Sequence, residues 1–278
     1  KFSTRLHILH LSTNHEMALL GNDVPLKEKK ITAEVCVHHL WFSDNDYRVL
    51  GNKIKWNPSI KSAHDRESLW TALLDDRIDV IATDHAPHTV EEKANLYFKA
   101  PSGGPLVQHS LPAMLDFVHE GKISLDRVVE KMCHAPALCF DVKKRGFIRP
   151  GYHADLVLVD TAAECRVVPD RIFYKCGWSP FEGHTFHSKI THTFVNGTLV
   201  FEADPDILGG HFREDYRGGR LLVRILERGL NLVMYEQDLC DSVYGVVRTF
   251  APPGFHEDLH KLGFVDLGIF PNVRRIKK

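Results

Sequence analysis

Three short apolar runs stand out in the first third of the chain, at residues 5–11, 31–37 and 78–83, each of a length suited to a buried parallel strand. Helical patterns separate and follow them. Residues 14–20 make a short helix, and residues 65–74 carry apolar positions at helical spacing behind polar capping candidates. Alternation of strand and helix predicts a parallel α/β sheet or barrel. Two more helices are expected over 111–119 and 125–139, where Leu125, Val128, Val129 and Met132 keep a period of about 3.6. From Gly146 the pattern shifts to short β segments: GFIRPGYHADLVLVD, a turn-rich SPFEG, then ITHTFVNGTLVFE, in which Asn196-Gly197 is a strong hairpin signal. The expected organisation is a barrel part over 1–144, a small β-sandwich module over 145–202, and an unassigned extension over 203–278 with one helical pattern at 221–234.

Composition narrows the function classes. With 278 residues and 44% hydrophobic content the chain can bury a core, and 35 basic against 36 acidic residues give no pull toward nucleic acid or a membrane surface. A small-molecule substrate is the expected partner, with a homodimer as an allowed assembly. The six cysteines form no CxxC pair, which argues against a disulfide framework and a zinc knuckle and fits a reducing cytoplasm. There is no apolar run approaching roughly eighteen residues and no signal-peptide pattern. The chain opens on Lys1 rather than Met, directly in a strand-like run, and so reads as a fragment.

Chemistry concentrates where strands end. TDHAPHT, from Thr83 to Thr89, follows the apolar IDVIA, so Asp84 occupies the handover from strand to loop where α/β barrels keep their functional groups. The bland alternative is an aspartate capping a proline-containing turn. His10, in RLHILHLST, lies at the C-terminal end of its run. Strand alternation sets Leu6, Ile8 and His10 on one face and His7 and Leu9 on the other, so only one of the two histidines is expected to point inward. His38 and His39 follow the strand AEVCV, and by the same alternation at most one lines a pocket; neither is assigned a role. Asn57 precedes Pro58, which biases it toward extended backbone, and its amide could read an imide edge or simply form a turn. The loop APSGGP, residues 100–105, offers glycine amides for close approach to a ligand, or is an ordinary turn.

Taken in order, HLST, AEVxxHHL, the pre-proline Asn57, DHAPHTxEEK, the Gly and Pro loop, GxIxPGxxADLVLVD and SPFEG resemble the type I dihydroorotases of the amidohydrolase superfamily, from about Thr4 to Glu202. The resemblance implies a distorted (β/α)8 TIM-type barrel, of which this chain would carry strands six to eight, with a small β module. It implies two zinc ions (Zn2+) in the complete site. His10 would be a metal ligand, Asp84 a metal ligand and the catalytic proton shuttle, and His88 a contact for the substrate carboxylate. Asn57, Ser102 and Gly103 would hold the ring, with His85 in a supporting role. The remaining ligands of such a site, an HxH pair, a carboxylated lysine, a further histidine and a carboxylate-binding arginine, are expected upstream of Lys1. The implied activity is reversible conversion of dihydroorotate to N-carbamoyl-L-aspartate in de novo pyrimidine (UMP) synthesis. Alternatives are an allantoinase, a dihydropyrimidinase, or a catalytically inactive amidohydrolase-like scaffold.

Overall fold

The computed structural model describes residues 4–203, 210–212 and 232–234. Strands β1 (Leu6–Ile8), β2 (Ile31–Cys36) and β3 (Val80–Ala82) form a parallel sheet in the order β1-β2-β3, with Leu6 opposite Ile31 and Glu34 opposite Val80. All three match expected strands, β1 and β3 trimmed at both ends and β2 only at its C-terminal end. The central strand β2 is buried from Thr32 to Cys36, because both faces are covered; that is why its run does not alternate. At the N-terminal edge of the sheet, Lys29 Nζ pairs with Asp79 Oδ1 at 2.7 Å, and Asp79 Oδ2 accepts the Ala33 amide at 3.0 Å. That edge is cemented by a buried ion pair, and His10 and Asp84 lie at the opposite edge.

β2 runs directly into helix α1 (Val37–Trp41), which is followed by a single turn α2 (Tyr47–Leu50). The expected 65–74 helix is α3 (Ala63–Leu74), starting earlier because Ser62 and Asp65 form a capping box, with the Asp65 amide donating to Ser62 Oγ at 3.2 Å. It buries Leu69, Trp70, Ala72 and Leu73 against the sheet side of the core, and the Trp70 indole N–H donates to Leu40 O at 3.0 Å. The 14–20 segment is a 3-10 helix, Asn14–Leu19.

After the short α4 (Val90–Lys93) comes α5 (Val107–His119), which begins a turn before the expected 111–119 helix. Pro112 suggests a start near residue 111, since proline suits a first turn. The structure begins it earlier because side chains from elsewhere satisfy its first amides: Leu106 and Val107 donate to His85 Nδ1 at 3.0 and 3.3 Å, and Gln108 donates to Tyr174 Oη at 2.8 Å. The 125–139 helix is α6 (Leu125–Val129) and α7 (Ala135–Cys139) joined by a π-helical turn at Glu130–His134. Pro136 has no N–H to continue the ordinary ladder, which accounts for the widened turn ahead of it.

The β region contains β4 (Leu156–Asp160), β5 (Cys165–Arg166), β6 (Thr185–Phe186), β7 (Lys189–Val195), β8 (Thr198–Ala203), β9 (Gly210–Phe212) and β10 (Leu232–Met234). Five of these form one antiparallel sheet in the order β10-β4-β7-β8-β9, and β5 pairs with β6 as a separate ribbon. The Asn196-Gly197 hairpin joins β7 to β8, both residues having positive φ (51° and 77°) as a two-residue turn demands. Ile148, Ala154, Leu156 and Phe194 form a small apolar cluster of their own. The helical expectation at 221–234 fails where it can be checked, since Leu232–Met234 pairs antiparallel with Leu158–Asp160; the rest of that segment lies outside the described residues. Apolar residues alone could not decide between helix and strand there.

Candidate active site

β1 and β3 release their chains with the same device. His10 and Asp84 both take positive φ, 55° and 45°, just beyond the strands' C-terminal ends. Left-handed backbone at a non-glycine residue costs of order 1 kcal/mol and is held only when the surroundings fix it. Here it turns the two side chains toward each other, so that His10 Nε2 lies 3.5 Å from Asp84 Oδ1. Between them in the sheet, Glu34 of β2 places Oε1 2.7 Å from His10 Nδ1. A proton on Nδ1 donated to Glu34 leaves the Nε2 lone pair facing Asp84, which is how a carboxylate behind a histidine orients a metal ligand.

Glu34 is itself held from the other side. His7 Nε2 lies 3.1 Å from Glu34 Oε2, and His7 Nδ1 lies 2.8 Å from Thr32 Oγ1. Burial works against a charge on His7, yet hydrogen bonds to Cys139 and Glu34 push its pKa up to about 9. Strand alternation assigned His7 and His10 to opposite faces, but both reach the same carboxylate. β1 stops at Ile8, and the left-handed turn at His10 resets the direction of its side chain. For Asp84, burial raises the pKa, His10 opposes it, and the Glu34 charge adds to it. Cys36 Sγ closes the group 3.1 Å from His10 Nδ1, its thiol held well up by burial.

The loop after Asp84 meets the glycine loop. His88 Nε2 donates to Ser102 O at 3.1 Å, and its Nδ1 lies 3.5 Å from Glu92 Oε2. From the β region, the Trp178 indole N–H donates to His88 O at 2.7 Å. Gly103 has φ 115°, and a Cβ there would sit 2.6 Å from Ala86 O. A Cβ on Gly104 would sit 2.7 Å from the Trp56 ring. These two positions need glycine because two loops and an indole meet without space for a methyl group. The Gly103 amide donates to Lys55 O at 2.9 Å, and the Ala86 amide to Gly104 O at 3.2 Å. Buried Lys93, the lysine of EEK, fastens the whole arrangement by donating to Gly103 O at 2.7 Å and to Lys55 O and Pro101 O at 3.1 Å each. Burial first, and Lys55 second, bring its pKa down to about 8.

Thus the structure brings His10 to Asp84 and His88 to Ser102 and Gly103's loop. Asn57 is exposed, on the segment whose neighbours Lys55 and Trp56 support that loop. His85 accepts the first amides of α5, the supporting role expected of it, and burial lowers its pKa. His38 and His39 are both buried, and their rings lie 4.2 Å apart. Alternation failed for them because the chain is already helical at Val37, where successive side chains diverge by about 100° rather than 180°.

Sequence reasoning missed Glu34 and Lys93. The signal was present: a glutamate inside an apolar strand and a lysine destined for burial each require partners.

A histidine nitrogen backed by a carboxylate and a facing aspartate, on the C-terminal edge of a parallel sheet, is a donor set suited to a divalent metal. Residues 7–200 match the Amidohydrolase family, and the chain belongs to it. It is 40% identical over 201 residues to a dihydroorotase of Halobacterium salinarum, covering 72% of this chain and 46% of that protein. A dihydroorotase of Pyrococcus furiosus is 35% identical over 203 residues, covering 73% and 46%. Among solved structures, an L-hydantoinase (dihydropyrimidinase) from Arthrobacter aurescens superposes with a TM-score of 0.64 at 30% identity, covering 70% of this chain and 44% of that one. The chain spans about half the length of the relatives it matches.

Proposed function

We propose that the chain contributes one half of the active site of a cyclic amidohydrolase that opens dihydroorotate to N-carbamoyl-L-aspartate and runs the reverse closure, within pyrimidine synthesis in the cytoplasm. The observation that carries this reading is the His10–Glu34–Asp84 arrangement, one residue within and two just beyond three parallel strands, converging at one sheet edge. The dihydroorotase relatives support the choice of ring. In this reading β1, β2 and β3 are strands six, seven and eight of a (β/α)8 barrel within residues 1–144. The exposure of Leu6, Leu9 and Ile31 along the β1 side supports a continuing structure there. Residues 145–202 form the β module, to which β9 and β10 add strands.

His10 and Asp84 would hold zinc, two ions in the complete site. When bound, zinc supplies Lewis acidity toward the ring carbonyl and an acidified water. Asp84 takes the proton as water adds to the carbonyl carbon and delivers it to the ring nitrogen as the C–N bond breaks. His88 meets the substrate carboxylate, an acidic group that hydantoin and allantoin lack. Asn57 and the Ser102-Gly103 backbone border the ring.

The test is ring opening by the full-length protein with zinc, comparing wild type with Asp84→Ala on dihydroorotate, hydantoin and allantoin. Turnover of dihydroorotate alone, abolished in the variant, supports the proposal. Turnover of hydantoin instead would favour the dihydropyrimidinase reading that the Arthrobacter aurescens structure suggests. No turnover of any ring by a folded, zinc-loaded protein would leave the inactive scaffold.

A further inference from the structure

Cys36, His38 and His39 make a second cluster that the hydrolytic reading does not use. Cys36 ends β2 and His38 and His39 lie in the first turn of α1, so the strand-to-helix transition itself gathers them. Ligand atoms of all three lie within 4.8 Å of one another, and the residues are 0%, 0% and 3% exposed. Two features point to a ligand.

The first is unmet polarity. His39 donates from Nε2 to Pro58 O at 3.1 Å, which leaves its Nδ1 buried without a partner. Neither ring nitrogen of His38 completes a hydrogen bond of good geometry, although the Thr83 backbone lies close enough to favour a proton there. A buried polar atom left unsatisfied costs about 1–3 kcal/mol. The second is fixed orientation. The His38 ring stacks on Trp56, centroids 4.2 Å apart and planes 9° from parallel, so its nitrogens are held in place.

We propose that Cys36 Sγ, His38 and the free Nδ1 of His39 bind a zinc-like cation at a site separate from the His10–Asp84 pair. Thiolate and imidazole together suit zinc, and tetrahedral zinc asks for donor spacings of about 3.5 Å, which small side-chain rotations reach from this cluster. Cys36 Sγ also stands 3.1 Å from His10 Nδ1, so the ion would lie behind the ring that faces Asp84 and would brace it. This proposal is independent of which ring the enzyme opens.

Zinc K-edge absorption spectroscopy on the zinc-saturated full-length protein tests it, because His10 and Asp84 offer only nitrogen and oxygen donors, and His39→Ala tells this site from one that Cys36 would share with His10 and Glu34. A sulfur shell near 2.3 Å is expected. It should vanish in Cys36→Ser, with one zinc fewer per chain by elemental analysis. A saturated wild type with no sulfur scattering overturns the proposal whether or not the variant folds. A sulfur shell that survives in folded Cys36→Ser overturns it as well, since the thiolate then comes from another cysteine. His39→Ala should likewise lose one zinc, and retention of the full zinc content counts against the site.

Discussion

Glu34 Oε1 lies 2.7 Å from His10 Nδ1, and this contact decides which nitrogen of His10 faces Asp84. Glu34→Gln keeps the size but removes the charge that selects the tautomer. The full-length variant should lose about 10- to 100-fold in metal affinity or ring-opening rate. Metal competition titration alongside turnover measures both, and an unchanged affinity would mean that Glu34 does not orient His10.

The contacts of His7 with Cys139 and Glu34 predict a pH effect on stability. With the folded pKa of His7 raised from 6.5 to about 9, its contribution is full below the unfolded value and is lost as pH rises through about 9. Melting temperature should therefore fall between pH 6.5 and 9, and His7→Gln should flatten that decline. A ring-proton titration of His7 by NMR should show a midpoint well above that of an exposed histidine.

Lys93→Met removes the donor shared by Lys55 O, Pro101 O and Gly103 O. Hydrogen bonds from a charged group are worth about 1.5–3 kcal/mol each, so unfolding free energy should drop by about 3 kcal/mol even after relaxation. If the glycine loop borders the substrate, KM should rise more than kcat falls. Denaturant melts and steady-state kinetics separate the two effects.

Gly104→Ala drives a methyl group toward the Trp56 ring and should destabilise by about 1–3 kcal/mol, as overpacking does. Gly121→Ala is the control: its backbone is left-handed, with φ 72°, but the space around it is open, so the loss should be only about 1 kcal/mol. Gly104 itself has no left-handed φ, so a loss no larger than that at Gly121 would show that the Trp56 ring yields to the methyl group.

The sequence made the strands and most helices readable because apolar spacing reports burial directly, as in β2, α3 and the Asn196-Gly197 hairpin. It also pointed to the ends of β1 and β3 through His10 and Asp84, which the structure brings within 3.5 Å of each other. What it hid depended on partners distant along the chain. The start of α5 is set by His85 and Tyr174, which no local pattern around Val107 reveals. The alliance of His7 with His10 depends on a turn that breaks strand alternation, and the adjacency of His38 and His39 on a helix that begins one residue after the strand. Glu34 and Lys93 were visible as charges in awkward places, but their roles appear only once the facing residues are known.

His10 follows β1, Glu34 lies in β2 and Asp84 follows β3, and no two of them are neighbours along the chain. Until β1, β2 and β3 have paired, these three side chains cannot meet around one ion. An ion held by His10 and Asp84 would then load after sheet assembly, as a latch on a structure already formed and not as the nucleus around which it forms.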